Sequence, residues 1–483
     1  MFDIIVIGGG PGGYMAAERA GHAGLNVLLI EKRALGGVCL NEGCIPSKTL
    51  LNSAKIYDYA LHGEAYGVTA SAVSLDHRAV VARKNRVVNT LVGGVKSLMK
   101  ANKVTVLYGE AYIIDNSHVK VNDEVYEGSR LIIAAGSAPI VPPIEGVAEG
   151  INSGFVLTSR EILDLEDIPE KLTVIGGGVI GLEMASYYSS AGSKVTIVEM
   201  LDRVGGTIDR EIAGILQKSY AKKGIEFILG ARVTAVTDSS VVYELADGQK
   251  GSVSMNAGGR KAAVSMNDGD SKNGPAPGAP ANGSPVCDKV LLSIGRRPVT
   301  SGFGLENTGV LLERGAIITD SNCLTNIPNI YAVGDVNGKY MLAHAAYREA
   351  EVAVNHILGK RDIMRYCAIP SVVYTSPEVA CVGETEETAA AKGLEFDSVA
   401  LPMIYSGRYI AENAVTDGIC KVLVGKARRN VIGVHMIGGC ASEIILSACV
   451  MIEMQMRVDD VKEIVFPHPT VGEMIRESVF RIT

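Results

Sequence analysis

The sequence predicts an α/β chain with two Rossmann-like units, each a parallel sheet covered by helices, followed by a C-terminal α+β domain. Three observations predict it. A strand, a glycine-rich turn, a helix, a second strand and a closing acid occur in that order at residues 2–31 and again at 171–199. In both stretches the first glycine and the acid stand 23 positions apart, 8 to 31 and 176 to 199. Near Tyr347 the character changes, and short apolar runs suited to antiparallel strands follow, with two helices flanking them.

A chain of 483 residues, 47% of them hydrophobic, can bury several cores. Its net charge of -7 gives no basic footprint for nucleic acid. No apolar run is long enough to span a membrane, and with a strand following directly after Met1 no targeting segment is expected. A cytoplasmic protein is expected. Of nine cysteines, Cys287, Cys323, Cys367, Cys381, Cys420, Cys440 and Cys449 stand isolated in sequence and are expected in cores, which fits a reducing compartment.

Phe2 to Ile7 reads as a buried strand. Gly8, Gly10, Pro11, Gly12 and Gly13 form the turn, Tyr14 to Gly24 the helix, and Asn26 to Ile30 a strand closed by Glu31. Glycines at this spacing let a pyrophosphate reach backbone amides at a helix N-terminus, and the acid accepts ribose hydroxyls.

Next comes Gly37-Val38-Cys39-Leu40-Asn41-Glu42-Gly43-Cys44-Ile45-Pro46-Ser47-Lys48. Four residues between the cysteines can close a small loop, so a disulfide is geometrically open to them, and Gly43 lets the backbone turn beside Cys44. Half a metal site and two unrelated buried thiols are the competing readings. No other cysteine pair has short metal-ligand spacing and no histidine is close in sequence, so no metal is expected. Pro46 is expected to start the helix carrying Lys48. A disulfide that opens and closes needs a thiolate, an electron acceptor and a base.

Helix is expected over most of 50–100, with the charged, amphipathic stretch Arg78 to Lys100 as scaffold, then short strands near 104–108, 112–115 and 118–121. The strand Arg130 to Ala135 ends in Gly136, and Pro139, Pro142 and Pro143 mark a boundary. The second fingerprint has its strand at Leu172 to Ile175, its glycines at 176, 178 and 181, Glu183 opening the helix, a strand at Lys194 to Val198, and Glu199. Two such units suggest two nucleotides, and FAD with NAD is the simplest pair. Glu199 suits a free 2′-hydroxyl and repels a 2′-phosphate, which predicts NAD rather than NADP. The nearby Arg203 is expected to be solvated.

Residues 248–285 are rich in Gly, Ser, Asn, Ala and Pro, a composition that forms no core. They read as a surface insertion. The repeat of Val253-Ser254-Met255-Asn256 at Val264-Ser265-Met266-Asn267 suits the arms of a hairpin. Strands resume at Lys289 to Ile294 and Asn329 to Val333. The latter ends in Gly334-Asp335, an acid placed to bind sugar hydroxyls. Met341-Leu342-Ala343-His344 begins a long helix whose first amides suit a flavin carbonyl. In the last domain, strands are expected at 371–374, 397–402, 418–424 and 431–437 and helices at 385–392 and 441–456. His468, between Pro467 and Pro469, lies five residues before Glu473, which suits either a His–Glu general base or a structural loop histidine.

With these motifs together, the chain resembles the flavoprotein disulfide reductases over nearly its whole length, and within them the enzymes that oxidise dihydrolipoyl groups. The resemblance rests on both glycine turns with Glu31 and Glu183, the segment Cys39 to Lys48, Gly295-Arg296-Arg297-Pro298, Ala332-Val333-Gly334-Asp335, Met341 to His344, and His468-Pro469-Thr470 with Glu473. It implies a redox disulfide in which Cys39 exchanges with a substrate dithiol and Cys44 faces the flavin. Lys48 would sit near the flavin and pair with Glu183. His468, oriented by Glu473, would act as base from the other subunit of a homodimer. The cofactor contacts it implies extend to Lys32, Gly37, Val38, Gly136, Asp335 and the Met341–His344 amides for FAD, and to Val179, Ile180, Glu199 and Gly295 for NAD. The implied partner is a lipoyl-bearing protein of a 2-oxo acid or acetoin dehydrogenase complex, or of glycine cleavage. The implied domains are FAD-binding (1–146), NAD-binding with the insertion (147–295), a return segment to the FAD site (296–346) and a dimerisation domain (347–483).

Departures are local. Val38 and Ala135 stand where the family commonly has threonine, and the insertion is atypical. The competing reading within the family, a glutathione-type reductase, wants arginines where Glu199 stands. A non-catalytic interaction role through the insertion is the other alternative.

Overall fold

The computed structural model describes residues 1–254, 288–414 and 417–482. They form two compact units, one of Met1–Thr49, Ala82–Ile140 and Gly295–Tyr366, the other of Leu50–Val81, Val141–Ile294 and Cys367–Thr483.

The first unit is built on a five-stranded parallel sheet in the order Ile330–Ala332, Leu131–Ile133, Ile4–Ile7, Val27–Glu31, Thr105–Tyr108. Its central strand β1 (Ile4–Ile7) is an unbroken run of buried Ile and Val. Such a run is what a strand covered on both faces requires. Helix α1 (Pro11–His22) connects β1 to β2 (Val27–Glu31) and packs along helix Ala343–Ile357. Leu28, Ile30, Leu131, Ile133, Ile330 and Val336 belong to the core beneath one face of the sheet.

The second unit repeats the arrangement with a parallel sheet ordered Glu226–Ile228, Lys194–Val198, Lys171–Ile175, Lys289–Leu292, Val156–Leu157. Beside it lies an antiparallel sheet of Ala231–Thr237, Ser240–Leu245 and Lys250–Ser254. The last strand corrects the insertion's start. Val253 pairs with Val241 and Ser252 with Val242, so the first residues of the low-complexity stretch extend a sheet. Backbone hydrogen bonding to an existing strand needs no apolar side chain of its own. The remainder of the insertion, 255–285, lies outside the described residues, and with it the hairpin reading and Cys287.

The C-terminal residues form a five-stranded antiparallel sheet, ordered Ser371–Val373, Val379–Gly383, Asn430–Ile437, Ile419–Gly425, Phe396–Pro402, with helices Ala441–Glu453 and Glu473–Phe480 packed on it. Sequence reading missed Val379–Gly383. Four of its five residues are buried, so it lacks the alternation that marks a half-exposed strand. Cys323, Cys381, Cys420 and Cys449 are buried as expected, and burial pushes the Cys420 thiol up to about 12. Cys367 and Cys440 are exposed instead. Cys440 occupies a left-handed position (φ 66°) just before helix Ala441–Glu453, and the Cys367 thiol donates to Glu453 at 3.6 Å. Among the described residues no helix is long and apolar enough to cross a membrane.

Candidate active site

In the first unit the chain turns at Gly8, whose φ of 103° and contact with Ala134 exclude a side chain; a Cβ there would lie 2.3 Å from the Ala134 carbonyl oxygen. At Gly13 a Cβ would lie 1.8 Å from the Gly8 carbonyl oxygen, so α1 is pressed against the strand it follows. Gly10 differs. The nearest atom to its Cβ position is Gly37 Cα at 3.8 Å, which leaves space in front of the α1 N-terminus. The Glu31 carboxylate closes the turn, accepting from Gly9 N–H at 2.7 Å and from Arg33 N–H at 2.7 Å. Each oxygen retains lone-pair capacity for a hydroxyl. An open cradle at a helix N-terminus with a carboxylate at its rim fits a dinucleotide.

The cysteines stand directly beside this cradle. Helix α2 (Gly37–Glu42) carries Cys39, and Gly37 approaches Gly10 so closely that a Cβ on Gly37 would lie 2.6 Å from Gly10 Cα. At Gly43 a Cβ would meet the Val38 carbonyl oxygen at 3.0 Å, tighter than an ordinary Cβ contact, so the break between helices leaves little room for a side chain. Helix α3 (Cys44–Leu61) then begins at Cys44, two residues before Pro46. Proline is accommodated because amides in a helix's first turn have no intrahelical acceptor. Cys44 therefore occupies the positive end of an 18-residue helix, a position that favours thiolate. The two thiols are free and hydrogen-bonded to each other. That shared bond, then burial and the neighbouring sulfur's charge, push the Cys39 thiol far up, and Lys48 opposes the shift.

Asp335 lies in the turn Gly334–Asn337 after the strand Ile330–Ala332. Its carboxylate accepts from Ser137 Oγ, which in turn accepts from Arg296 Nε at 2.7 Å. Neither Ser137 nor Arg296 was singled out from sequence as a site residue. The signal was present in the segment Gly295 to Pro298, which pairs antiparallel with Ser137–Pro139. The turn is pinned from behind by Glu349, wholly buried, which accepts from Gly334 N–H at 2.6 Å and from Tyr366 Oη at 2.7 Å. Helix Ala343–Ile357 starts at Ala343, so Met341 and Leu342 precede it. Tyr347 on that helix shares a 2.5 Å hydrogen bond with Tyr14 of α1. Gly136 (φ 74°) and Gly295 (φ 115°) both adopt left-handed conformations at turns beside this site, while Lys32 is exposed.

The second unit holds the second cradle. Gly176 (φ 101°) and Gly181 admit no side chain, a Cβ on Gly181 lying 2.2 Å from the Gly176 carbonyl oxygen, whereas around Gly178 nothing lies within 4 Å. Helix Val179–Ser190 follows, which puts Val179 and Ile180 in its first turn and Glu183 inside it rather than at its start. Glu199 accepts from Gly177 N–H at 2.6 Å and Leu201 N–H at 2.8 Å. Arg203 is not solvated. It pairs with Glu387 at 3.1 Å with its side chain 23% exposed, so its charge is engaged by a carboxylate and not offered to a 2′-phosphate. Lys48 and Glu183 belong to different units. Within its own unit Glu183 is buried and accepts from Tyr374 N–H at 3.1 Å.

His468 Nδ1 is hydrogen-bonded to Glu473 Oε1 at 2.9 Å, and Glu473 Oε2 accepts from Thr470 N–H at 2.8 Å. The Thr470 amide above all, helped by His468, holds the Glu473 carboxyl below the usual range against the opposing effect of burial. The carboxylate thus stays charged and fixes the ring, while the His468 side chain is 80% exposed in the single chain. No group of metal-ligating side chains occurs among the described residues.

Residues 2–350 match the family described as pyridine nucleotide-disulphide oxidoreductase, and residues 369–479 match the dimerisation domain of the same family. The chain is 37% identical to a dihydrolipoyl dehydrogenase of Mycoplasma pneumoniae, covering 99% of this chain and 97% of that one. It is 38% identical to a dihydrolipoyl dehydrogenase of Bacillus subtilis, covering 99% and 95%. Among solved structures it is similar to LpdA from Mycobacterium tuberculosis, with TM-score 0.84 and 25% identity over all of both chains. It is also similar to the HOCl-induced flavoprotein disulfide reductase RclA from Escherichia coli, with TM-score 0.81 and 26% identity, again over all of both chains.

Proposed function

The chain belongs to the pyridine nucleotide-disulphide oxidoreductase family, and on that premise we infer that it is a flavoprotein enzyme that oxidises protein-bound dihydrolipoyl groups to lipoyl groups with NAD+ as acceptor. The observation that carries this reading is the thiol pair. Cys39 and Cys44 share a hydrogen bond, Cys44 stands at the positive end of α3, and the helix bearing Cys39 is pressed against an open dinucleotide cradle. The glutathione-type alternative is not favoured, since Glu199 occupies the position a 2′-phosphate would need.

FAD and NAD are the cofactors. When bound, FAD supplies an electron-accepting ring that passes a hydride to NAD+. The Gly8–Gly13 turn, Glu31 and Asp335 would hold FAD, and the Gly176–Gly181 turn with Glu199 would hold NAD. With the pair oxidised, a substrate thiolate attacks Cys39 Sγ, and Cys44 leaves as a thiolate stabilised by the end of α3. The second substrate thiol attacks the mixed disulfide at the substrate sulfur and expels Cys39. His468, oriented by Glu473, takes the proton of the attacking thiol. Both substrate sulfurs end in a disulfide and both cysteines end reduced. Thiol–disulfide exchange of this kind is nearly balanced, so direction follows the substrate ratio.

The exposed His468 ring is consistent with a base lent to a second copy in a homodimer, and the match of residues 369–479 to a dimerisation domain supports that assembly. The substrate carrier on this reading is a lipoyl-bearing protein of a 2-oxo acid or acetoin dehydrogenase complex, or of glycine cleavage, in the cytoplasm. The test is anaerobic reduction of NAD+ by dihydrolipoamide, with NADP+ in parallel and NADPH plus glutathione disulfide as control. Turnover only with dihydrolipoamide and NAD+ supports the reading. Turnover of glutathione disulfide, or preference for NADP+, overturns it.

A further inference from the structure

The chain leaving Glu199 is tied back onto the second cradle at two points. Leu201 N–H donates to Glu199 Oε1 at 2.8 Å, and Gly205 N–H donates to the Gly177 carbonyl at 2.8 Å. Val204 is wholly buried, its Cγ1 3.0 Å from where a Cβ on Gly177 would lie. Arg203 is the midpoint of this loop. At 3.8 Å per Cα step, its Cα lies no more than about 7.6 Å from the Cα of either anchor. A long cationic side chain rooted there is within reach of a phosphate on the ribose hydroxyl that Glu199 would accept. The guanidinium is turned elsewhere. Its Nη1 pairs with Glu387 Oε1 at 3.1 Å, and the same oxygen faces Arg210 Nε at 3.8 Å. Glu387 lies in the first turn of helix Glu386–Ala391, among the C-terminal residues and outside the nucleotide-binding fold.

We propose that Glu387 is a specificity-determining residue for the nucleotide, which holds Arg203 away from the ribose and so denies a 2′-phosphate the cation that would bind it. The proposal rests on the NAD reading above and extends it: Glu199 supplies a repulsion, and Glu387 withholds an attraction. Specificity is a difference of two affinities, and removing a favourable contact from the wrong ligand widens it as surely as adding one for the right ligand. The neighbouring acids are committed to other cations. Glu386 accepts from Lys421 Nζ at 3.2 Å and from Ser398 Oγ at 2.5 Å. Asp209 accepts from Lys421 Nζ at 3.0 Å and caps helix Arg210–Lys222. Asp202 pairs with Arg210 at 3.1 Å. Arg203 released from Glu387 therefore has the ribose site before it and no idle carboxylate to turn to. The two nucleotides respond differently. NAD presents a neutral hydroxyl at that position and gains little from a freed guanidinium, whereas a 2′-phosphate takes arginine's planar fork in a bidentate, charge-assisted pair.

The experiment is calorimetric titration of the oxidised, FAD-bound holoenzyme with NADP+ and, separately, with NAD+. It is run in the Glu199→Ser background, where the repulsion is gone and the attraction can be read alone. Adding Glu387→Ala should tighten NADP+ by about tenfold and move NAD+ by less than about twofold. Adding Arg203→Met to that pair should return NADP+ to its affinity in Glu199→Ser alone. Glu387→Gln, which keeps the side chain's length and loses its charge, should move NADP+ in the same direction by a smaller factor, and it decides the matter where Glu387→Ala does not fold. NADP+ affinity equal to that of Glu199→Ser, in whichever of the two folds, overturns the proposal. A gain that survives Arg203→Met overturns it as well, because the attraction would then come from elsewhere. The titration needs no dihydrolipoamide. A wild-type chain that binds NADP+ more tightly than NAD+ is the failure of the NAD reading, whereas an intact preference for NAD+ with no effect of Glu387 is the failure of this proposal alone.

Discussion

Gly178→Ala isolates the second cradle from the fold that carries it. The backbone at Gly178 has φ -75° and ψ -177°, open to any residue, and a Cβ there meets nothing within 4 Å. The folded protein should therefore tolerate the change with stability altered by less than about 1 kcal/mol, because neither strain nor overlap is introduced. Bound nucleotide is another matter. The added methyl occupies the space in front of the helix N-terminus where a pyrophosphate would approach the amides. Losing one charge-assisted hydrogen bond costs about 1.5–3 kcal/mol, so the KM for NAD+ should rise by roughly ten- to a hundredfold. FAD content should not change. Gly181→Ala is the matched control. Its Cβ would lie 2.2 Å from the Gly176 carbonyl oxygen, so strand and helix must separate, at about 1–3 kcal/mol or more for overpacking. Thermal melts and steady-state kinetics on both variants make the comparison. Unchanged KM for NAD+ in Gly178→Ala would refute the assignment of this turn as a nucleotide cradle, and normal stability in Gly181→Ala would refute the close packing of helix on strand.

Cys44→Ser should abolish lipoamide turnover while FAD stays bound, as absorbance of the desalted protein will show; normal turnover would sink the dithiol mechanism. Glu473→Gln leaves one oxygen where the native carboxylate uses two, for His468 and for the Thr470 amide, so its NH2 must face one of those donors. A drop of about tenfold or more in kcat/KM for dihydrolipoamide is expected from exchanging a charge-assisted bond for a neutral one, with KM for NAD+ unaffected; full activity would remove His468 from the base's role. Since Glu473 is held below the ordinary carboxylate range, its orienting charge is present above that range and is lost only as pH falls through its lowered value. Activity near pH 5.5 should not be limited by this carboxylate. Lys421→Met strips the partner from Asp209, buried at 1% exposure and 3.0 Å away, and should destabilise the fold by about 3–5 kcal/mol in urea titration. Burial pulls the Lys421 ammonium down, but Glu211 and Asp209 raise it above its ordinary value overall. Its contribution is thus complete below the ordinary lysine range and is lost as pH rises through the higher folded value. The wild-type's advantage over Lys421→Met should persist at neutral pH and shrink only in strong alkali.

What the sequence made legible follows from how local each cause is. The glycine turns were readable because the constraints at Gly8, Gly13, Gly176 and Gly181 lie within a few residues of the strand they follow, and spacing alone encodes them. The His468–Glu473 pair was readable for the same reason, five residues apart on one turn. Ser137 and Arg296 were not, since their meeting depends on an antiparallel pairing between strands about 160 positions apart, and nothing local to either residue announces it. Val379–Gly383 was missed because complete burial erases periodicity. Arg203 was misjudged because its partner, Glu387, lies on a distant helix turn.

Local geometry does not by itself say which cradle takes which dinucleotide. The two turns are near copies: Gly10 has φ -73° and ψ -174°, Gly178 has φ -75° and ψ -177°, and both closing glutamates accept one amide from the turn and one from two residues on. What separates them is what stands in front. At the first turn Gly37 Cα stands 3.8 Å from the Gly10 Cβ position, bringing the Cys39 helix onto the rim of the cradle, whereas nothing lies within 4 Å of the Gly178 position. A redox group that must receive electrons from a thiol in every cycle needs the site beside the cysteine helix. A hydride acceptor that arrives oxidised and leaves reduced needs the one with nothing standing before it. On the proposed function, the assignment of FAD to the first unit and NAD to the second rests on the cysteine helix and not on the fingerprints, and moving that helix, rather than altering either glutamate, is the change that would blur the distinction between the two sites.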